Sequence, residues 1–196
     1  MNNISKYPYQ ITPQEREKLN GHKGLLVFFT GLSGAGKSTL ANALEYKLHQ
    51  DHIHTYVLDG DNVRSGINKN LGFSPEDRSE NNRRIGEISK LFVEAGLVVL
   101  AAFVSPYEKD RAFIKHTVGK DNYIEVFVNT SLKVCEARDV KGLYKKARAG
   151  VITNMTGISA PYEAPKQPDL EVSEVHSVEE AIALVFAHVI NRLAIH

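Results

Sequence analysis

Short, continuously apolar runs alternate along this chain with longer stretches whose apolar residues recur every three or four positions. The runs read as strands. Leu25–Phe29 and Leu97–Val104 contain no polar residue, as expected of strands buried on both faces. The second is the most apolar segment and is placed as a central strand. His54–Leu58, Tyr123–Val128 and Asp169–Val172 supply three more. The periodic stretches read as helices. Lys37–Gln50 repeats Leu40, Leu44 and Leu48 on one face. Ser74 and Pro75 form a helix start, and Gly96 ends that helix after Ala95. Asp110–His116 and Ser131–Arg138 predict shorter helices, and Val178–Leu193 an amphipathic one.

Strands that alternate with helices predict an α/β fold: a parallel sheet with helices on both faces. Residues 23–196 read as one domain and residues 1–22 as a polar N-terminal arm, with a short helix possible after Thr12-Pro13. The segment from Asp139 to Pro168 is polar, rich in Lys, Gly and Pro, and poor in strand signals. A connection of that length reads as a lid or a loop.

Composition narrows the function classes. With 24 Lys and Arg against 23 Asp and Glu the formal net charge is +1. Bulk charge therefore does not point to nucleic acid or an anionic membrane. A single cysteine, Cys135, excludes an intrachain disulfide and a multi-cysteine metal site, and reads as a buried small hydrophobe. The N-terminus lacks the apolar core of a secretion signal, and no apolar run reaches the ~18 residues of a membrane span. The expected location is the cytoplasm.

The clearest chemistry lies between the first strand and the first long helix. GLSGAGKS, residues 31–38, fits the phosphate-loop pattern G-x-x-x-x-G-K-[ST]. Gly31, Gly34 and Gly36 let the backbone turn its N–H groups toward one anion, with Leu32, Ser33 and Ala35 between them. Lys37 adds charge at the β- and γ-phosphates, and the Ser38 hydroxyl suits Mg²⁺. The helix continuing through Thr39 aims its positive dipole end at the same phosphates. The fold expectation sharpens to a P-loop NTPase-type three-layer α/β architecture with a lid over about 139–168.

A phosphate loop alone does not separate kinase from GTPase, ATPase or motor. Asn68-Lys69-Asn70 lacks the Asp and the preceding strand of a guanine-selecting segment. A small phosphotransferase also needs an acceptor site at the strand ends and a cover that excludes water. Asp59-Gly-Asp61-Asn-Val-Arg64 follows the second strand, where an acid can take a hydroxyl proton or hold Mg²⁺ through water; the same residues also make a good turn. Arg78 and Asn81, three residues apart, lie on nearly the same side of a helix that also carries Arg83 and Arg84, and form either an anion-binding face or a solvated one. Lys141, Lys145, Lys146 and Arg148 load the lid with positive charge. Ser105 follows the most apolar strand and either touches substrate or caps the turn at Pro106.

Taken together, these blocks resemble the adenylyl-sulfate kinase (APS kinase) family. The resemblance runs from about Leu19 to Pro168. It is carried by GLSGAGKS (31–38), DGDNVR (59–64), LGFSPEDRSENNRRIGE (71–87), FVSPY (103–107), EVFV (125–128), RDVKGLYKKARAG (138–150), TGI (156–158) and PYEAP (161–165). It implies transfer of the ATP γ-phosphoryl group, with Mg²⁺, to the 3′-hydroxyl of adenosine 5′-phosphosulfate, and a homodimer. It implies that Asp61 lies near the acceptor hydroxyl. Arg64, Phe73, Arg78 and Asn81 would hold the acceptor, with Phe73 on its adenine and Val104 beside it. Lys141 and Leu143 would lie over both substrates. Ser105 matches a serine described in the family as a phosphoserine intermediate, although in-line transfer needs no enzyme nucleophile. Two departures stand out. Ala102-Phe-Val-Ser-Pro106 replaces a common Ser-Phe-Ile-Ser-Pro, and Met155 stands in Asn154-Met-Thr-Gly157 where Phe is common. A thioether in place of a ring there changes acceptor affinity rather than reaction type. Kinases of other small acceptors and a non-catalytic ATP-binding module are the alternative readings.

Overall fold

The computed structural model describes residues 5 and 7–195. Residues 1–4 and 6 of the expected arm, and residue 196, lie outside the described residues. Five parallel strands form one sheet: β1 (Leu25–Thr30), β2 (Thr55–Asp59), β3 (Val98–Ala102), β4 (Tyr123–Asn129) and β5 (Leu170–Ser173), in the order β2-β3-β1-β4-β5. The expected parallel sheet is present.

The alternation of side chains along β1 assigns its two faces. Leu25, Val27 and Phe29 join Leu40, Leu44 and Leu48 of α2 (Lys37–Gln50) and Val185 and Val189 of a C-terminal helix, Val178–Leu193. Leu26 and Phe28 join Ile85 and Val93 of the long helix Pro75–Glu94 and Ile114 of the helix Glu108–Val118. Both sheet faces are covered, so β1 is buried along its whole length. Each fully buried Leu or Phe contributes about 1.5–3 kcal/mol.

The remaining helices, in chain order, are α1 (Pro13–Asn20), α3 (Gly60–Ser65), α6 (Leu132–Arg138) and α7 (Leu143–Arg148). The long helix is therefore α4, Glu108–Val118 is α5 and the C-terminal helix is α8. Local chemistry sets their ends. Thr12 and Glu15 form a reciprocal capping box that starts α1, and Asn20 then donates to the Gly96 carbonyl at 3.0 Å. Ser74 caps α4 through the Asp77 N–H, with Pro75 at the first position.

Several expectations change. β1 takes the middle of the sheet, and β3 is an interior, fully buried strand as expected. β3 is also shorter than the apolar run, because Leu97 is bonded back to Phe92 and the chain turns at Ser105, whose φ is +41°. The Asp59–Arg64 stretch is a helix rather than a turn. Asp59 accepts from the Asp61 N–H at 3.0 Å and so caps α3. The 139–168 segment carries α7, whose start is held by the Asp139 carboxylate on the N–H groups of Tyr144 and Lys145.

Candidate active site

β1, in the middle of the sheet, delivers the phosphate loop to the carboxyl edge, with β2 and β3 on one side and β4 and β5 on the other. Such an edge is where open α/β sheets bind ligands. Gly31 has φ +154°, and a Cβ there would sit 2.5 Å from the Val128 carbonyl oxygen, so only glycine passes this point. Gly36, at φ +107°, is the N-cap of α2.

A single cleft of ≈ 740 Å³ opens on the loop. Its volume is in the range of small-molecule sites. Ser33 to Thr39 line it, with Asp61, Arg64, Phe73, Arg78, Asn81, Val104, Ser105, Lys141, Leu143 and Met155. All the residues expected to touch substrate are thus gathered, except Gly31 and Leu32 at the start of the loop, which do not line the cleft. Their carbonyls accept from Lys37 Nζ at 3.0 and 2.7 Å. Two of the three ammonium donors are committed there, and one remains for the cleft. Burial pulls the Lys37 ammonium down to about 8.

The two neighbouring acids have separate tasks. Asp59 accepts a hydrogen bond from the Ser38 hydroxyl at 2.5 Å on one oxygen and caps Asp61 with the other. Asp61 carries no such bond and pairs with Lys141 from the 139–168 segment. Asp59 is an acid that the sequence reading grouped with Asp61 and gave no separate role. Its signal was the position at the end of a strand beside the phosphate loop. The pair Ser38–Asp59 offers hard oxygen donors suited to Mg²⁺. Among the described residues no cluster of three or more His, Cys, Asp or Glu could hold a metal.

Another part of the cleft is built from α3, the loop after it, and α4. Phe73 is exposed and flanked by two guanidinium groups, Arg64 at 4.5 Å and Arg78 at 5.7 Å from the ring centre. Arg64 donates to the carbonyls of Leu71 and Gly72. Arg78 donates to the Phe73 and Asn154 carbonyls and to Thr156 Oγ1, so it ties α4 to the segment opposite. Partial burial lowers both arginines from their ordinary value. Asn81 is buried and accepts from Asn68. Arg83 and Arg84 do not join the site: Arg83 pairs with Glu80 at the surface, and Arg84 bridges Glu80 to Asn68 and Asn70.

Ser105 is buried, left-handed at φ +41°, and its Oγ has no hydrogen-bond partner. A non-glycine residue held there costs on the order of 1–3 kcal/mol. Met155 is buried and packs with Leu143 in the cluster around α2.

The opposite wall was not foreseen. Val172, Ser173, Glu174, His176, Ser177, Val178 and Ala181 line the cleft beside β5. They follow a strand at the carboxyl edge, and that rule is the signal that finds them. Arg138 joins them and donates to the Gly34 carbonyl at 3.2 Å.

Known proteins resemble this chain. The sequence model of the adenylylsulphate kinase family matches residues 23–173. The adenylyl-sulfate kinase of Oceanobacillus iheyensis is 55% identical over 184 residues, covering 93% of this chain and 92% of that one. That of Lactiplantibacillus plantarum is 53% identical over 194 residues, covering 99% and 92%. An APS kinase structure from Mycobacterium tuberculosis, in complex with AMPPNP and APS, superposes with a TM-score of 0.83 at 46% identity, over 85% of this chain and 98% of that one. A phosphate loop facing an arginine-flanked aromatic across one cleft, on a chain this similar over nearly its whole length, makes this chain a member of the adenylylsulphate kinase family.

Proposed function

We propose that the chain transfers the γ-phosphoryl group of ATP to the 3′-hydroxyl of adenosine 5′-phosphosulfate. One observation carries this reading: a single cleft joins the phosphate loop to Asp61 and to the Arg64–Phe73–Arg78 cluster. The loop amides and Lys37 hold the donor phosphates. The β5–α8 wall, on the far side of β1 from Asp61, is left for the donor base. Arg64 and Arg78 hold the acceptor's phosphosulfate, with Asn81 beside them, and Phe73 stacks on its adenine. The 3′-oxygen bonds to the γ-phosphorus, the bond from that phosphorus to the β–γ bridging oxygen breaks, and ADP leaves. The hydroxyl proton passes to Asp61. Mg²⁺, held by Ser38 and, through water, by Asp59, would neutralise phosphate charge. Residues 139–168 act as a lid that brings Lys141 over the transferring group. Residues 23–196 form the kinase domain and residues 1–22 the arm.

The expected result is ATP consumption that depends on adenosine phosphosulfate and not on AMP or gluconate. Turnover with one of the latter alone would mean a kinase of another acceptor, and binding without turnover a regulatory module. In the same assay Ser105→Ala should keep at least about a tenth of the activity, because positioning and charge stabilisation suffice for in-line transfer. A complete loss, with phosphoserine trapped in the unaltered enzyme, would replace direct transfer by a covalent route.

The reading extends to a cytoplasmic homodimer. No helix among the described residues is long and apolar enough to cross a membrane. Tyr7, Tyr9 and Ile11 of the arm are more than half exposed, and a second subunit would cover them. Sedimentation at twice the 21.8 kDa chain mass is expected, and a monomer at micromolar concentration would refute the dimer.

A further inference from the structure

Arg111 on α5 is 3% exposed and lies outside the cleft lining, yet all three of its donor nitrogens are spent on different segments. Nε meets Glu125 of β4 at 3.0 Å. Nη1 donates to the Ser105 carbonyl at 2.9 Å. Nη2 donates to the Glu163 carbonyl at 2.7 Å. Glu163 lies at the end of the lid, and two further bonds fix it to the same neighbourhood. Its N–H donates to the Pro106 carbonyl at 2.8 Å, and its carboxylate accepts from the Glu108 N–H at 2.7 Å, at the start of α5.

The adjacent Tyr162 makes a parallel connection. Thr30 Oγ1 donates its one proton to the Val104 carbonyl at 2.7 Å, so at the 2.9 Å contact Tyr162 is the donor. Thr30 is the residue before the phosphate loop. Lid root, phosphate-loop base and Ser105 loop are therefore bonded to one another, and Arg111 is the only side chain that bridges the Ser105 and Glu163 carbonyls among the described hydrogen bonds.

Lysine cannot replace this arrangement. An ammonium can satisfy the charge of Glu125, but it cannot reach two separate carbonyls with a rigid planar fork. The left-handed Ser105 also needs an external hold to keep its conformation.

We propose that Arg111 is a positioning residue. It locks the left-handed Val104–Pro106 loop to the root of the lid, so that the lid and the acceptor end of the cleft move as one unit. This rests on the kinase reading above, and the test is chosen to separate the two. Arg111→Lys and Glu125→Gln divide the fork from the ion pair. Glu125→Gln should lower the melting temperature by several degrees and leave kcat within about twofold, since both carbonyl bonds stay. Arg111→Lys should lower kcat about ten- to a hundredfold, with the affinity for a non-hydrolysable ATP analogue within about threefold. Arg111→Lys with full kcat, or both variants losing activity in equal proportion, would overturn the proposal. Should Arg111→Lys not fold, the unaltered enzyme decides. Adenosine phosphosulfate alone should slow amide exchange at Glu108 and Glu163 by about fivefold or more. Unchanged exchange there, with acceptor-dependent turnover intact, would remove the coupling and leave the kinase reading standing.

Discussion

Lys37→Ala should abolish phosphoryl transfer while leaving the free protein folded. The two halves of this expectation have different physical origins. Burial holds Lys37 at about 8 against an ordinary 10.5, which is roughly 3 kcal/mol against the charged form. The sign follows from the direction. The folded value lies below the unfolded one, so this cost is fully present below about pH 8 and vanishes above 10.5. Removing the side chain at neutral pH removes that cost. It also removes two charge-assisted bonds to the Gly31 and Leu32 carbonyls, worth about 1.5–3 kcal/mol each. The opposing amounts are similar, and the melting temperature of the free protein should move by only a few degrees. Activity has no such compensation. The third donor is the one left for the cleft, where a fixed charge facing a bound triphosphate would act on the transition state. A loss of kcat of about a thousandfold or more is expected, read by ADP release with saturating adenosine phosphosulfate. Undiminished turnover by a folded Lys37→Ala protein would remove the loop from the chemistry.

The sequence carried the phosphate loop and all five strands, because each has a local signature, whereas Phe73 and its place between Arg64 and Arg78 were legible only through the family resemblance. Leu25–Phe29 is apolar without a break, and that is what a strand covered on both faces requires. GLSGAGKS fixes backbone and charge within eight residues. The features that escaped are those decided by contacts distant in sequence. The roles of Asp59 and Asp61 look alike in DGDNVR, and only the 2.5 Å bond from Ser38 divides them. Arg78, Arg83 and Arg84 point in three directions on a helical wheel, and the wheel does not say which of them faces the cleft. The structure turns one toward Thr156 and Asn154, leaves one in solvent and gives the third to Asn68 and Asn70. The wall after β5 has no motif at all, and only the fold brings it to the cleft.

That division between the two acids sets the second large effect. Asp61→Asn should lower kcat on the order of a hundredfold, with little change in stability. Both oxygens of Asp59 are already engaged, one by Ser38 and one by the Asp61 N–H. Asp61 faces only the Lys141 ammonium, so it is the acid with oxygen available to a substrate hydroxyl. Its side chain is 68% exposed and that of Lys141 55%, and an exposed pair of this kind contributes about 0.2–1 kcal/mol. Asparagine keeps the shape and removes the basic oxygen, so a folded protein with a slow chemical step is the expected result. General base catalysis spans about 10²–10⁴-fold, and a loose phosphoryl-transfer transition state asks little of the base, which places this case at the lower end. Asp59→Asn is the control, because it weakens the oxygen that faces Ser38. It should raise the Mg²⁺ concentration needed for half-maximal rate, whereas Asp61→Asn should not. If Asp61→Asn recovers full kcat when Mg²⁺ is raised, Asp61 serves the ion and not the proton, and the hydroxyl must lose its proton to solvent after the phosphorus–oxygen bond has formed.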